Sequence, residues 1–194
     1  SLSRCMRTRK GGHARGYPVV ARTRLKGVKA HTRYYTQDGR RVPGATTIVG
    51  VLNKPALVKW ANQLGLDGID MESYRDALAD VGTCVHHMIL CDIRGTKTDL
   101  DAFAPQVVRL AESSFLSYLA WRKAHTVEPI LCEQPLVSEA HRFGGTPDFI
   151  GWVDGALEVG DFKSGSGVYS EHFHQVAGGY LILAEEHGYR AERV

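Results

Sequence analysis

The stretch GGTPDFIGWVDGALEVGDFKSG, residues 144–165, constrains this chain more than any other. Two short apolar runs flank Asp154-Gly155, a dipeptide favoured in two-residue type I′ hairpin turns. With the turn there, Val153 faces Ala156 and every opposed pair of residue numbers sums to 309. Asp148 then falls opposite Asp161, and Lys163 shares the face of Asp161, because side chains alternate along a strand. Glu158 falls opposite Gly151 on the other face; a one-residue bulge would bring Glu158 round instead. Directly opposed carboxylates repel and weaken a hairpin. A shared proton, a neighbouring cation or a bound metal would offset that cost. Lys163 brings a single positive charge, whereas a divalent ion such as Mg²⁺ brings two and prefers oxygen ligands. Geometry alone leaves both open.

The 194 residues suit one domain, long enough to bury about 70% of its unfolded surface. No run approaches the ~18 apolar residues of a membrane span, and no charged-then-apolar signal segment opens the chain. Cys5, Cys84, Cys91 and Cys132 form no C-x-x-C pair. Reduced thiols in an intracellular compartment are therefore expected, without a zinc or iron–sulfur cluster. The net charge of +3 hides an asymmetry. Residues 1–41 hold twelve of the 24 Lys and Arg and one acid, Asp38; from Val42 onward twelve bases meet twenty acids, a balance of −8. A basic, flexible leader over 1–32 ahead of an acidic domain over 33–194 fits a polyanion partner, a solvated arm or an Arg-rich targeting segment.

Apolar spacing predicts helices over 46–52, 56–66, 72–93 and 101–125, and again over 171–187. Between them the period changes to that of strands over 127–137, 145–153 and 156–163, and 189–194 has the look of a further strand. A small hairpin is expected around Asp38-Gly39. The domain thus divides into a helical part, about 46–125, and an αβ core, about 126–194. The expected class is α/β, a central mixed sheet flanked by helices, with the hairpin carrying the chemistry. Leu57, Trp60, Ala61 and Leu64 form a stripe read as core, and Leu78, Val81, Val85, Met88 and Ile89 share one side of the long helix.

Asp148 followed by Asp161-Phe162-Lys163 resembles the signature of the PD-(D/E)XK nuclease superfamily. GTCVH at Gly82 to His86 is similar to the G-x-x-x-H helix motif of its RecB-like, phage-type exonuclease branch. PGATTIVGVLNKPALVKWA resembles a segment preceding that motif, and VYSEHFHQVAGGY the helix that comes after the lysine and bears a Gln and a Tyr. The matches run in order from about Tyr34 to Tyr180. Helical periodicity does not choose between His86 and His87; the resemblance selects His86. The family's Tyr commonly stands four residues after its Gln, but here Gly179 holds that place and Tyr180 comes next. On a regular helix Tyr180 would face about 140° away from Gln175. A bend at Gly178-Gly179 would bring it back.

The resemblance implies a restriction-endonuclease-like core and Mg²⁺- or Mn²⁺-dependent DNA hydrolysis, most readily from ends. One or two ions would be held by His86, Asp148, Asp161 and the carbonyl of Phe162. Lys163 would orient or deprotonate the attacking water, and Gln175 would position the site or the nucleic-acid backbone. Tyr34, Tyr35, Trp60 and Tyr180 are candidate contacts to nucleic acid, as stacking surfaces for an unpaired strand or, for Tyr180, through the family motif. The alternatives are a structure-selective endonuclease with the same site and a binding module that does not cut. DNA is the implied partner, single-stranded or with free ends, with recombination, repair or replication proteins beside it. The implied setting is the cytoplasm of a bacterium or phage-infected host, or a mitochondrion.

Overall fold

The computed structural model describes residues 32–52, 54–165 and 167–194. The basic leader expected over 1–32 lies, apart from Thr32, outside the described residues. The chain begins with a small hairpin, β1 (Tyr34–Tyr35) and β2 (Arg41–Val42), turning through Gly39 at φ 77°. Helices α1 (Ala45–Val49), α2 (Pro55–Leu66), α3 (Met71–Arg94) and α4 (Pro105–Ala124) come next. Asp70 caps α3 by accepting a hydrogen bond from the Ser73 N–H at 2.8 Å, and Gly95 ends it in the left-handed conformation. Pro105 starts α4, where its missing N–H costs nothing. Among the described residues no helix is long and apolar enough to cross a membrane.

Three strands build the main sheet: β3 (Val127–Cys132), β6 (Phe149–Val153) and β7 (Ala156–Gly160), in the order β3-β6-β7. A second sheet pairs β4 (Leu136–Ser138) with β5 (Phe143–Gly145). All these pairings are antiparallel; among the described residues parallel pairing is confined to single bridges at Gly44–Gly144 and Glu158–Arg193. The mixed sheet expected from sequence is therefore replaced by antiparallel ones, and the 189–194 segment contributes one bridge at Arg193 rather than a strand.

The long strands expected over 127–137 and 145–153 are each broken. Glu133 adopts φ 48° and turns the chain between β3 and β4. Pro147, lacking an N–H, cannot continue a ladder between β5 and β6. Within β3 a bulge between Pro129 and Leu131 sits on an edge strand, where a proline is tolerated.

The sheet has helices on both faces. On one, Ile150, Leu157 and Val159 pack with Tyr180, Leu183 and Ala184 of the C-terminal helix. On the other, Phe149, Val127 and Val153 pack with Trp121 and Phe162, which continue into the α3–α4 core of Cys84, Val85, Met88, Ile89, Val107, Ala111 and Tyr118. Leu57, expected in the core, is about half exposed at 54%, as is Leu78 at 49%.

The C-terminal helix is interrupted. It runs as α5 (Ser170–Gln175), a π turn (Val176–Tyr180) and α6 (Leu181–Glu186). A π turn winds one extra residue into a helix.

Candidate active site

The hairpin has the register that its turn dictates. Phe149 pairs with Gly160, Ile150 with Val159, Gly151 with Glu158, Trp152 with Leu157 and Val153 with Ala156. Asp154 and Gly155 both have positive φ, 51° and 81°, as a type I′ turn requires. Asp148 and Asp161 stand just past the last paired residues, at the open end of the ladder.

Two helices deliver side chains to that end. From α3, His86 Nδ1 lies 3.1 Å from Asp148 Oδ1. Gly82, one turn earlier, lets α3 come close: a Cβ there would stand 3.3 Å from Ser164 Oγ, just beyond Lys163. His87 is directed elsewhere, its Nε2 2.8 Å from the Asp99 carbonyl oxygen and its ring against Phe103. From α5, the Gln175 amide Nε2 lies 3.4 Å from Asp161 Oδ1 and donates to Tyr180 Oη at 2.6 Å. The extra residue of the π turn is what returns Tyr180 to the face of Gln175. Of the two outcomes left open by the sequence, the return of Tyr180 to the face of Gln175 is the one observed, and a π turn across the glycine pair brings it about.

Phe162 locks the hairpin end from behind. Its ring stacks on Phe149 at 5.6 Å and meets Tyr118 and Trp121 edge-on at 5.4 and 6.1 Å. Its N–H donates to Asp148 Oδ2. Asp148 is thus held on one oxygen by backbone and on the other by His86. Asp161 Oδ2 is fully buried and is paired with the Lys163 ammonium.

Sequence reasoning missed Glu133. His86, Glu133 and Asp148 each offer a ligand atom, and these atoms lie within 4.8 Å of one another. The Glu133 N–H donates to the Asp148 carbonyl oxygen at 3.0 Å, which fixes the turn at this residue to the loop bearing Asp148. A glutamate interrupting an apolar run two residues before Pro135 was the available signal.

The charges are mutually perturbed. Burial and the neighbouring Asp148 push Asp161 above the usual carboxylate range, with Lys163 opposing. Burial and Asp148 likewise raise Glu133, with His86 and Arg94 opposing. For His86, burial disfavours the imidazolium, but the Asp148 hydrogen bond and the charges of Asp148, Asp161 and Glu133 outweigh it and raise its pKa. A surplus of carboxylate, three acids facing one imidazole and one ammonium, is chemistry that suits a hard divalent cation.

The aromatic candidates are distributed differently. Tyr34 is half-buried, its ring against Gly144, where a Cβ would lie 2.3 Å from the ring, and its hydroxyl 2.9 Å from Thr146 Oγ1. It braces the segment leading to Asp148. Tyr35 is 49% exposed. Trp60 lies on α2 with its ring 5.9 Å from that of Tyr74. Among the described residues neither Tyr35 nor Trp60 makes a hydrogen bond or ring contact with the carboxylate cluster. No protein-family model matches the chain, and no curated protein matches it at a significant level.

Proposed function

We propose that this chain is a divalent-metal-dependent deoxyribonuclease of PD-(D/E)XK type, built on a restriction-endonuclease-like core and hydrolysing phosphodiester bonds from DNA ends. The observation that carries the reading is the convergence of His86, Asp148, Asp161, Lys163 and Gln175, from two helices and one hairpin, on a single spot. These residues match the signature by type and order, and a fold has no structural need to gather three acids where two already repel.

The donor set fits Mg²⁺ or Mn²⁺: carboxylate oxygens from Asp148 and Asp161, with one imidazole from His86 and with Glu133 within reach of the same ion. When bound, such an ion lowers the pKa of water and offsets charge on the scissile phosphate. The protein's own groups do the rest. The Lys163 ammonium, held beside Asp161, stabilises charge developing on the phosphate and orients the attacking water. His86 and the Phe162 N–H fix both oxygens of Asp148. Gln175, itself fixed by Tyr180, holds Asp161 in place.

The test is digestion of end-labelled linear and covalently closed circular DNA, single- and double-stranded, with Mg²⁺, Mn²⁺ or EDTA. Loss of linear DNA alone, dependent on metal, is expected. Asp161→Ala and Lys163→Ala should each reduce turnover by about 10²-fold or more while DNA binding persists. Cutting of circles would replace the exonuclease with an endonuclease. Wild-type turnover in either variant would refute the site.

A further inference from the structure

A cleft of about 250 Å³ opens between α3 and α4 beside the carboxylates. Val85 and Ile89 line it from α3, Ser117 and Trp121 from α4, and Phe162 and Lys163 from the segment after β7. Its walls are apolar and aromatic. The polar exceptions are Lys163, the hydroxyls of Ser114 and Ser117, and the Tyr118 hydroxyl, which is already committed to Asp92 at 2.7 Å. No carboxylate lines it. Lys163 belongs to both places, since its ammonium lies against Asp161 while its side chain forms a wall of the cleft.

We infer that this cleft receives a single unpaired nucleobase, that of the nucleotide whose phosphate is presented to Lys163. The inference rests on the nuclease reading and deepens it by naming the substrate as a single strand, or an end opened into one. Three features select this occupant. A phosphate held at the Lys163 ammonium leaves its attached base beside an aromatic-walled opening that the same lysine borders. Flat uncharged rings suit walls built from Trp121, Tyr118 and Phe162, and stacking of this kind accepts every base. Ser117 Oγ already donates to the Ser113 carbonyl oxygen at 3.2 Å, so what it offers the cleft is a lone pair, an acceptor for a base N–H. A base lodged between two packed helices is out of any duplex, so a paired end must first open.

The experiment walks one abasic residue along a single-stranded oligothymidylate and measures KM and kcat with Mn²⁺. Wild type is compared with Ser117→Trp, a change at an exposed position that fills the mouth of the cleft. At one position next to the cleaved bond, loss of the base should raise KM by about 5- to 150-fold, the worth of one stacked base. Ser117→Trp should raise KM on intact DNA by a similar factor and erase the penalty of the abasic residue at that position, with its melting temperature unchanged. An abasic residue tolerated everywhere, or a penalty undiminished in Ser117→Trp, would overturn the inference and leave the nuclease reading standing. Failure to cleave or bind any DNA would defeat that reading, and the inference with it.

Discussion

Removing one residue from the C-terminal helix is expected to leave the fold and the site intact, provided the residue is Gly178. The π turn Val176–Tyr180 stores one more residue than an α turn, and that surplus puts Tyr180, five residues after Gln175, within 2.6 Å of it. Deleting Gly178 leaves a four-residue spacing, which on an α-helix is again a same-face pair. Gly178 is exposed and nothing lies within 4 Å of a Cβ built there, so little packing is lost with it. One fewer interior glycine is worth about 1 kcal/mol, or roughly 2–4 °C in melting temperature for a chain of this size. Deleting Ile182 instead falls in regular helix and turns everything after it by about 100°. Leu183 and Ala184, both fully buried, would leave their places, and loss of the leucine alone costs about 2–5 kcal/mol. The assay is thermal unfolding of both deletions alongside cleavage of linear DNA. If the Gly178 deletion unfolds as early as the Ile182 deletion, the extra residue is not housed in the turn, and the coupling of Gln175 to Tyr180 is wrong.

The same geometry has three further expected outcomes. Gly160→Ala would place a Cβ 1.7 Å from Cε1 of Phe149, a ring that is 2% exposed and stacked on Phe162. A loss of about 1–3 kcal/mol is expected together with loss of cleavage, and unchanged melting and turnover would show that the ring steps aside freely. Glu133→Gln should shrink the rise in melting temperature produced by Mn²⁺; an identical Mn²⁺ titration would remove Glu133 from the ion's surroundings. In chelator, stability should fall as pH rises. Asp161, Glu133 and His86 all have pKa values raised by folding, so each contributes stability that is complete below its unfolded pKa and is lost as pH passes the folded one. The window opens near pH 4 for the acids and near pH 6.5 for the histidine. The acids with lowered values, Asp38, Asp70, Asp154 and Glu171, act only at or below the acid end of it. Melting temperatures that stay level or climb between about pH 5 and 8 in EDTA would contradict the charge cluster.

The hairpin was legible because two local rules agree. Asp154-Gly155 sets the turn, and a strand's period of two then fixes every pair back to Asp148 and Asp161. Helices α3 and α4 were legible through apolar spacing; Asp70 and Gly95 cap α3, while α4 starts at Pro105, four residues later than the spacing suggested. Spacing could not say that Leu57 and Leu78 would lie half exposed, since it reports a helix face and not the extent of what covers it.

The misread places share a cause. Periodicity carried one strand through Glu133, but its left-handed backbone is fixed by a hydrogen bond to Asp148, fifteen residues on, which no local pattern encodes. Periodicity set Tyr180 about 140° from Gln175, but the π turn brings it back, and the turn's second glycine packs where a Cβ would stand 3.0 Å from that of Ala45. Both departures cost stability locally and persist only where surrounding contacts over-determine them. In both cases the residue displaced from its regular position reaches the carboxylate cluster, Glu133 directly and Tyr180 through Gln175. A regular strand and a regular helix would have packed the same core without converging on Asp148 and Asp161. The irregularities are therefore best understood as the part of the sequence that the site, rather than the fold, requires.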